Sequence, residues 1–208
     1  MRAFIYVGGK IYPDSLTEHP KADDLTVAAD IGYKNAALLG DAVQILVGDL
    51  DSLKDTDVDE KVKVVRVPSE KDFTDTQLAI DTAIEAGARD FVIIGGLSGR
   101  LDHTLANLAL IKQLTANGFY AVITDGKNRV RYINSTSTLI SRSSYKYLSL
   151  IIDGEKVKGV DVEGCKYPLK NATLAPDDQS LTVSNEITGN CALISVRKGG
   201  LYIIESAD

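Results

Sequence analysis

Cysteine, proline and tryptophan are scarce in this sequence. Its 208 residues include 2 cysteines, 5 prolines and no tryptophan, a usage that excludes disulfide-dense, collagen-like and low-complexity chains. The two cysteines, Cys165 and Cys191, stand far apart with no CxxC pair, which argues against both a thiolate zinc site and a disulfide framework. We therefore expect a cytoplasmic protein.

Long apolar runs and an excess of basic charge are also missing. The apolar run near the first residue covers only residues 3–7, which is too short for a signal-peptide core or a membrane span. Lysine and arginine total 23 against 29 aspartates and glutamates, giving a net charge of −6. A phosphate backbone is a poor partner for such a chain, so we expect neither a nucleic acid nor a membrane as its partner.

What the sequence does contain indicates a globular chain. Apolar residues make up 44% and charged residues 25%, enough to bury a core. Up to about Asp125, short β-branched runs alternate with stretches of helical period, which is typical of a parallel sheet covered by helices. Thr74 and Gln77 have the spacing of a capping box. The predicted strands are residues 3–7, 25–29, 45–47, 62–67, 91–94 and 121–124, and the predicted helices begin near Gly32, Thr74 and Asp102.

After Asp125 the helical period is lost, and short alternating runs follow one another between turn signals. This pattern is typical of a small β-sandwich or an open barrel. We place the domain boundary within residues 127–137. The predicted strands of this second half are residues 130–133, 147–152, 181–183, 192–196 and 201–204.

Three polar or glycine-rich loops each follow directly after a predicted strand. They begin at Asp30, at Gly48 and at Gly95. In an open parallel sheet, ligands bind in the crevice outside the carboxyl ends of the strands. We therefore expect these loops to face one common site.

The loop GDLDS, residues 48–52, carries two carboxylates one residue apart. Asp49 and Asp51 suit a hard divalent cation such as Mg²⁺ that also carries substrate phosphates. Aspartate is equally an ordinary turn residue, so this motif by itself leaves a structural interpretation open. Residues 71–75 have the same two interpretations. Either Lys71 meets a phosphate bound near a helix N-terminus, or Thr74 and Asp75 simply start the helix.

The third loop, GGLSGRLDH, covers residues 95–103. Its glycines permit positive φ and close approach of the backbone, and the Arg100 guanidinium suits bidentate contact with phosphate. The glycine spacing is neither that of a Walker A loop nor that of the dinucleotide fingerprint. We interpret His103 as a packing residue at the start of a helix. Together the three loops favour a Mg²⁺-dependent nucleotide phosphate site, although spacing does not name the acceptor.

Five strings of this sequence, taken in order, resemble the thiamine pyrophosphokinase family. They are ADIG at 29–32, GDLDS at 48–52, TD at 74–75, GGLSGRLDH at 95–103 and SNE at 184–186. The resemblance spans nearly the whole chain. It implies a homodimer that uses Mg²⁺ and transfers the pyrophosphoryl group of ATP to thiamine, giving thiamine diphosphate and AMP.

The resemblance also implies a fold class and two domain roles. An α/β, Rossmann-like domain with a parallel sheet would occupy residues 1–127 and would bind the nucleotide and carry catalysis. An all-β sandwich domain over residues 137–208 would bind thiamine.

Individual roles follow from the resemblance by motif. Asp49, Asp51 and Asp75 would hold the metal and, with Arg100, act in catalysis. The expected ATP and phosphate contacts are Asp30, Ser52, Lys71, Thr74, Gly96, Arg100, Asp102 and His103. The expected thiamine contacts are Asp30, Ser184 and Asn185. Some members of the family stack a tryptophan on thiamine, and this chain has none, so its stacking residue stays open.

Two other functions remain open at the level of sequence. A non-catalytic nucleotide or thiamine sensor would keep the binding loops without needing the full set of Asp49, Asp51 and Asp75. A pyrophosphokinase or nucleotidyl transferase for another alcohol would fit the missing tryptophan. Analysis of the reaction products separates these functions from thiamine pyrophosphokinase.

Overall fold

The computed structural model describes residues 1–49, 58–67 and 73–208. The chain divides into two units. Unit 1 consists of Met1–Leu114 with Gly118–Gly126, and unit 2 consists of Thr115–Asn117 with Lys127–Asp208. Within the described ranges, no helix is long and apolar enough to cross a membrane.

Unit 1 is built from parallel strands and helices, as its alternating sequence pattern predicts. The strands are β1 (Arg2–Tyr6), β2 (Leu25–Ala29), β3 (Ile45–Gly48), β4 (Lys63–Arg66), β5 (Asp90–Ile94) and β6 (Tyr120–Thr124). The helices are α1 (Gly32–Leu39), α2 (Asp75–Glu85) and α3 (Leu101–Ala116).

The strand order of unit 1 is β4-β3-β2-β1-β5-β6, and all of these pairs are parallel. The chain moves outward from β1 to β4 and then returns to the other side of β1 with β5. The order therefore reverses between β1 and β5. Such a switch point leaves a crevice at the carboxyl ends of the strands, which is where open α/β sheets bind ligands.

Burial explains why the strands of unit 1 are apolar along their whole length. In β1 every residue after Arg2 is buried, and in β5 every residue after Asp90 is buried. Strands whose two faces are both covered do not alternate between apolar and polar residues. The apolar core of this unit includes Phe4, Tyr6 and Leu46.

The start of α2 is fixed by half of the predicted capping box. The Thr74 hydroxyl accepts a hydrogen bond from the backbone N–H of Gln77 at 3.2 Å, which satisfies one of the free donors of the first turn. The Gln77 side chain donates to Asp81 at 2.8 Å. Thr74 therefore caps the helix, while Gln77 stabilises the next turn.

Unit 2 is all-β apart from a short 3-10 helix at Pro176–Leu181 and the end of α3. The strands β7, β13 and β9 pair antiparallel in this order, and β11-β10-β12-β8 form an antiparallel sheet. Both sets supply side chains to one apolar core, as in a two-layered sandwich. The strands are β7 (Asn128–Asn134), β8 (Ser137–Ser141), β9 (Tyr147–Ile152), β10 (Val157–Glu163), β11 (Leu169–Leu174), β12 (Cys191–Lys198) and β13 (Gly200–Ser206).

The prediction of a strand at residues 181–183 is wrong. Leu181 ends the 3-10 helix and is 77% exposed, while the Thr182 hydroxyl donates to the Leu150 carbonyl at 2.7 Å. The segment is therefore tied to β9 by a side chain. Three strands were not predicted, namely β8, β10 and β11.

Candidate functional site

Two glycine turns meet at the switch point of unit 1. One follows β1 at residues 8–9 and the other follows β5 at residues 95–96. The Gly96 N–H donates to the Gly8 carbonyl at 2.8 Å, and the Lys10 N–H donates to the Ser98 hydroxyl at 2.6 Å. Hydrogen bonds therefore join the two turns at the carboxyl edge of the sheet.

Side chains are excluded from the second turn by both conformation and space. Gly95 and Gly96 have φ values of 98° and 73°, in the left-handed region that favours glycine. A Cβ atom on Gly96 would lie 2.5 Å from the Asn107 amide nitrogen, and one on Gly95 would lie 2.6 Å from the Val7 carbonyl oxygen. The glycines of the GGLSGR loop are therefore required by the fold of the turn.

A cavity of about 250 Å³ opens at this point. It is lined by the two glycine turns, by Thr76 of α2, and by Arg100, His103 and Asn107 at the start of α3. A helix N-terminus, glycine backbone and a guanidinium are the groups that bind phosphate oxygens. Of the predicted phosphate contacts, the cavity brings together Gly96, Arg100 and His103.

Arg100 and Asp102 form an ion pair beside this cavity. The Arg100 Nε and Nη2 atoms donate to the two Asp102 oxygens at 3.1 and 2.6 Å. The hydrogen bonds from Arg100, aided by the backbone N–H of His103, lower the pKa of Asp102 to about 2. Both side chains are well exposed, at 74% and 64%. Asp102 is therefore an ionised group that orients Arg100.

His103 does not pack as the sequence led us to expect. Its side chain is exposed and lines the cavity, and its backbone N–H donates to Asp102 at 3.0 Å. The packing interpretation is wrong because the first turn of α3 faces solvent. The buried residues of this helix are Asn107, Ile111 and Leu114.

Asp30 carries an unusual carboxylate at the end of β2. Its φ of 44° is in the left-handed region, and its backbone N–H donates to the Val47 carbonyl of β3 at 2.8 Å. A Cβ atom on Gly48 would approach the Asp30 Cβ to 3.2 Å, so glycine at position 48 leaves room for this aspartate. The Asp30 Oδ1 atom is buried and has no hydrogen-bond partner among the described residues, an arrangement that points to a ligand or ion at this place.

The other predicted acidic residues are only partly described. Asp49 directly follows β3, and Asp75 is the first residue of α2. Asp51, Ser52 and Lys71 lie outside the described residues. In the described part of the chain, no group of three or more His, Cys, Asp or Glu side chains is arranged to hold a metal ion. The oxygen ligands that Mg²⁺ prefers are nevertheless present at neighbouring strand ends, in Asp30 with its orphaned Oδ1 and in Asp49.

Unit 2 contains the remaining predicted residues, Ser184 and Asn185. Ser184 is exposed, has a φ of 59°, and its N–H donates to the Ser149 hydroxyl at 3.0 Å. Asn185 pairs with Leu148 of β9 through two backbone hydrogen bonds of 2.8 and 3.0 Å. Its side chain holds the backbone of Tyr167, whose own side chain is 58% exposed. Ser184 and Asn185 are thus fixed to one strand end beside an exposed aromatic ring.

Sequence reasoning missed several residues that shape these two places. Gly8, Gly9 and Asn107 line the cavity of unit 1. The glycine pair after β1 carries the same signal as the pair after β5, a double glycine directly following a buried strand. Asn107 gives a weaker signal, since it is one polar residue on the buried side of an otherwise apolar helix face.

Two family models match this chain, one in each half. The model for "Thiamin pyrophosphokinase, catalytic domain" matches residues 16–123. The model for "Thiamin pyrophosphokinase, vitamin B1 binding domain" matches residues 136–201.

Individual relatives agree with the family models. A thiamine pyrophosphokinase of Bacillus subtilis is 30% identical over 211 residues, which cover 98% of each chain. The crystal structure of thiamine pyrophosphokinase from Bacillus subtilis superposes with a TM-score of 0.90 at 26% identity, covering 100% of both chains. That of the Geobacillus thermodenitrificans protein gives a TM-score of 0.85 at 28% identity, covering 100% of this chain and 98% of the other.

Proposed function

Because this chain belongs to the thiamine pyrophosphokinase family, we infer that it transfers a pyrophosphoryl group from ATP to thiamine. Family models for both the catalytic and the vitamin-binding part match it. A curated thiamine pyrophosphokinase aligns along 98% of its length. The products are then thiamine diphosphate and AMP.

The observation that carries the phosphate site is the cavity between the two glycine turns. We propose that the polyphosphate of ATP lies there, against Gly96, Arg100 and His103. Asp102 would orient Arg100, and Thr74 would fix the start of α2. The remaining proposed contacts to ATP are Asp30, Ser52 and Lys71.

Chemically, the reaction needs positioning and charge neutralisation more than a covalent intermediate. The thiamine hydroxyl oxygen bonds to the β-phosphorus, the bond from that phosphorus to the oxygen bridging the α-phosphate breaks, and the hydroxyl proton leaves. Negative charge therefore develops on the departing AMP. We propose that Arg100, which lines the cavity, supplies a fixed positive charge to stabilise this developing negative charge.

We propose Asp49, Asp51 and Asp75 as ligands of Mg²⁺, with Asp30 beside them. The buried and orphaned Oδ1 of Asp30 supports a cation near the ends of β2 and β3. When bound, Mg²⁺ supplies further neutralisation of the phosphate charge. The carboxylates also favour the cationic thiazolium ring of thiamine, which is why Asp30 is proposed for both substrates.

For thiamine we propose Ser184 and Asn185, and we add Tyr167. Tyr167 offers an exposed ring that Asn185 holds in place by two hydrogen bonds to its backbone. Aromatic rings stack on one another favourably, so Tyr167 fills the role that tryptophan has in some members of the family. Accordingly, the catalytic domain would be residues 1–127 and the thiamine domain residues 137–208.

A homodimer and a cytoplasmic location complete the proposal. Light scattering on the purified protein tests the first, since a mass of one 22.4 kDa chain would reject the dimer. Cell fractionation tests the second. Product analysis tests the function itself: with ATP and thiamine we expect AMP and thiamine diphosphate in equal amounts, whereas ADP, or AMP formed with another alcohol only, would reject it.

A further inference from the structure

Two asparagines hold the glycine turns at the switch point from opposite helices. Asn35 of α1 donates from Nδ2 to the carbonyls of Val7 and Gly9 at 2.7 and 3.0 Å. Asn107 of α3 donates from Nδ2 to the Gly96 carbonyl at 3.0 Å. Both side chains therefore act on the backbone of the turns.

Because these asparagines are buried or half-buried, the loss of their hydrogen bonds would be energetically unfavourable. Asn107 is only 6% exposed, and Asn35 is half-buried. A buried amide that lost its partner would carry the full penalty of desolvation. The Asn107 amide also fills the space that a side chain at Gly96 would need, so the asparagine and the glycine fit one another.

The held carbonyls determine where the neighbouring N–H groups point. In a planar trans peptide the carbonyl of one residue and the N–H of the next point in opposite directions. Asn35 on the Val7 carbonyl therefore turns the Gly8 N–H away from α1. In the same way, the hydrogen bond from the Gly96 N–H to the Gly8 carbonyl directs the Gly9 N–H, and Asn107 holds Gly96 in place through its carbonyl.

The N–H groups of Gly8 and Gly9 have no hydrogen-bond partner within residues 1–49, 58–67 and 73–208. Both residues line the cavity. Successive backbone N–H groups without partners form an anion-binding surface. The directions of these two N–H groups depend on the hydrogen bonds that hold the turns.

We propose that Asn35 and Asn107 are positioning residues that present the N–H groups of Gly8 and Gly9 to the polyphosphate of the nucleotide. This inference rests on the proposed function for the identity of the anion. Neither asparagine belongs to the motifs by which the sequence resembles its family, and neither is a catalytic residue. Their effect on the reaction passes through the glycine backbone.

The test compares Asn107→Leu and Asn35→Leu with Gln113→Met. Leucine has nearly the size and branching of asparagine, and it removes the donor without adding a charge beside the phosphate. Gln113 is an exposed amide on α3 outside the cavity and serves as the matched control. The probes are inorganic tripolyphosphate with the free protein, and ATP with thiamine in the assay.

We expect each leucine variant to raise both the Kd for tripolyphosphate and the KM for ATP about tenfold, in keeping with lost hydrogen bonds to a charged group. The KM for thiamine should change less than about twofold, since uniform weakening of nucleotide binding leaves acceptor binding alone. In wild-type protein the amide proton signals of Gly8 and Gly9 should shift on addition of tripolyphosphate. In the variants those shifts should shrink.

Equal effects in Gln113→Met, unchanged amide shifts in the leucine variants, or a wild-type protein that does not bind tripolyphosphate would each overturn the inference. Should Asn107→Leu fail to fold, Asn35→Leu at the more exposed position carries the same test. A loss of tripolyphosphate binding confined to the leucine variants supports the inference even if the wild type forms no thiamine diphosphate. A wild type that forms no thiamine diphosphate would reject the proposed function alone.

Discussion

The side-chain amide of Asn185 forms hydrogen bonds with both the N–H and the carbonyl of Tyr167. Its Nδ2 atom donates to the Tyr167 carbonyl at 2.8 Å, and its Oδ1 atom accepts from the Tyr167 N–H at 3.0 Å. The side chain thus extends to Tyr167 the backbone pairing that Cys165 and Lys166 make with residues 186–187. Any contribution of Asn185 to thiamine binding is therefore made jointly with Tyr167.

Replacement of Asn185 by alanine removes these side-chain hydrogen bonds. We expect Asn185→Ala to raise the KM for thiamine about tenfold and to reduce the free energy of unfolding by about 1–3 kcal/mol, because the N–H and carbonyl of Tyr167 and the N–H of Glu186 lose their partner. The KM for ATP should stay the same, since the glycine turns belong to unit 1. Steady-state kinetics and thermal melting measure both effects, with the exposed Asn190→Ala as control. A KM for thiamine that matches the control would remove Asn185 from the acceptor site.

The ring of Tyr167 can be tested separately from its backbone. We expect Tyr167→Ala to raise the KM for thiamine about three- to tenfold, as the loss of one aromatic pair predicts. Tyr167→Phe keeps the ring and should bind thiamine as the wild type does. Equal KM values for thiamine in the alanine and phenylalanine variants would show that no ring stacks there.

We expect catalysis to require the planar guanidinium group of Arg100 as well as its positive charge. Arg100→Lys keeps the charge but loses the bidentate geometry, so we expect kcat to fall at least about tenfold while the melting temperature stays close to that of the wild type. The pair with Asp102 is exposed, which limits its weight in stability. Single-turnover measurements give the rate of transfer itself. A variant with normal kcat and a lowered melting temperature would make Arg100 a structural residue.

The same pair predicts a pH dependence. Arg100 holds the pKa of Asp102 at about 2, below the ordinary carboxyl value, so the contribution of the pair is complete above that ordinary value. It is lost only as the pH falls through about 2. Arg100→Gln should return the pKa of Asp102 toward the ordinary range. A carboxyl titration followed by NMR measures this shift, and an equal pKa in both proteins would contradict the pairing in solution.

Asp30 offers a contrast between stability and activity. Its buried and orphaned oxygen is unfavourable in the free protein, so Asp30→Asn should leave the melting temperature equal or higher while turnover falls about a hundredfold. Asp90→Asn is the matched control, because the Asp90 Oδ1 is also buried and has no partner in the described part of the chain but lies at the start of β5. There the loss of the pair with Arg2 should lower stability slightly and spare turnover. A drop in melting temperature for Asp30→Asn would mean that the carboxylate is satisfied in the free protein.

The parallel half of this fold could be predicted from sequence because strands buried on both faces are apolar along their whole length. β5 is a continuous apolar run after Asp90, and α1 spans Gly32–Leu39, as the apolar pattern and the glycine after it predict. The missed strands are different. β11 buries only Leu174, so as an edge strand it shows no alternation, whereas the apolar Leu181 and Val183 look like a strand but are exposed.

Some residues of the candidate site could likewise be predicted from the sequence, and others could not. Glycines and charged side chains that follow strands could be predicted, because they come directly after apolar runs and the carboxyl ends of parallel strands share one edge of the sheet. Asn35 and Asn107 could not, since an asparagine inside a helix gives no sign that it will meet a turn from another part of the chain. Likewise, nothing in the sequence shows that Asp102 would be used to orient Arg100.

The bond from the Lys10 N–H to the Ser98 hydroxyl joins residues 88 positions apart. Closing a segment of that length carries an entropic penalty before any contact repays it, and such distant pairing slows folding. We therefore expect the glycine turns to come together only once β5 has paired with β1. A nucleotide that binds both turns favours the closed chain by mass action, so ATP should slow hydrogen exchange along β1 and β5 together, well beyond the residues that it touches.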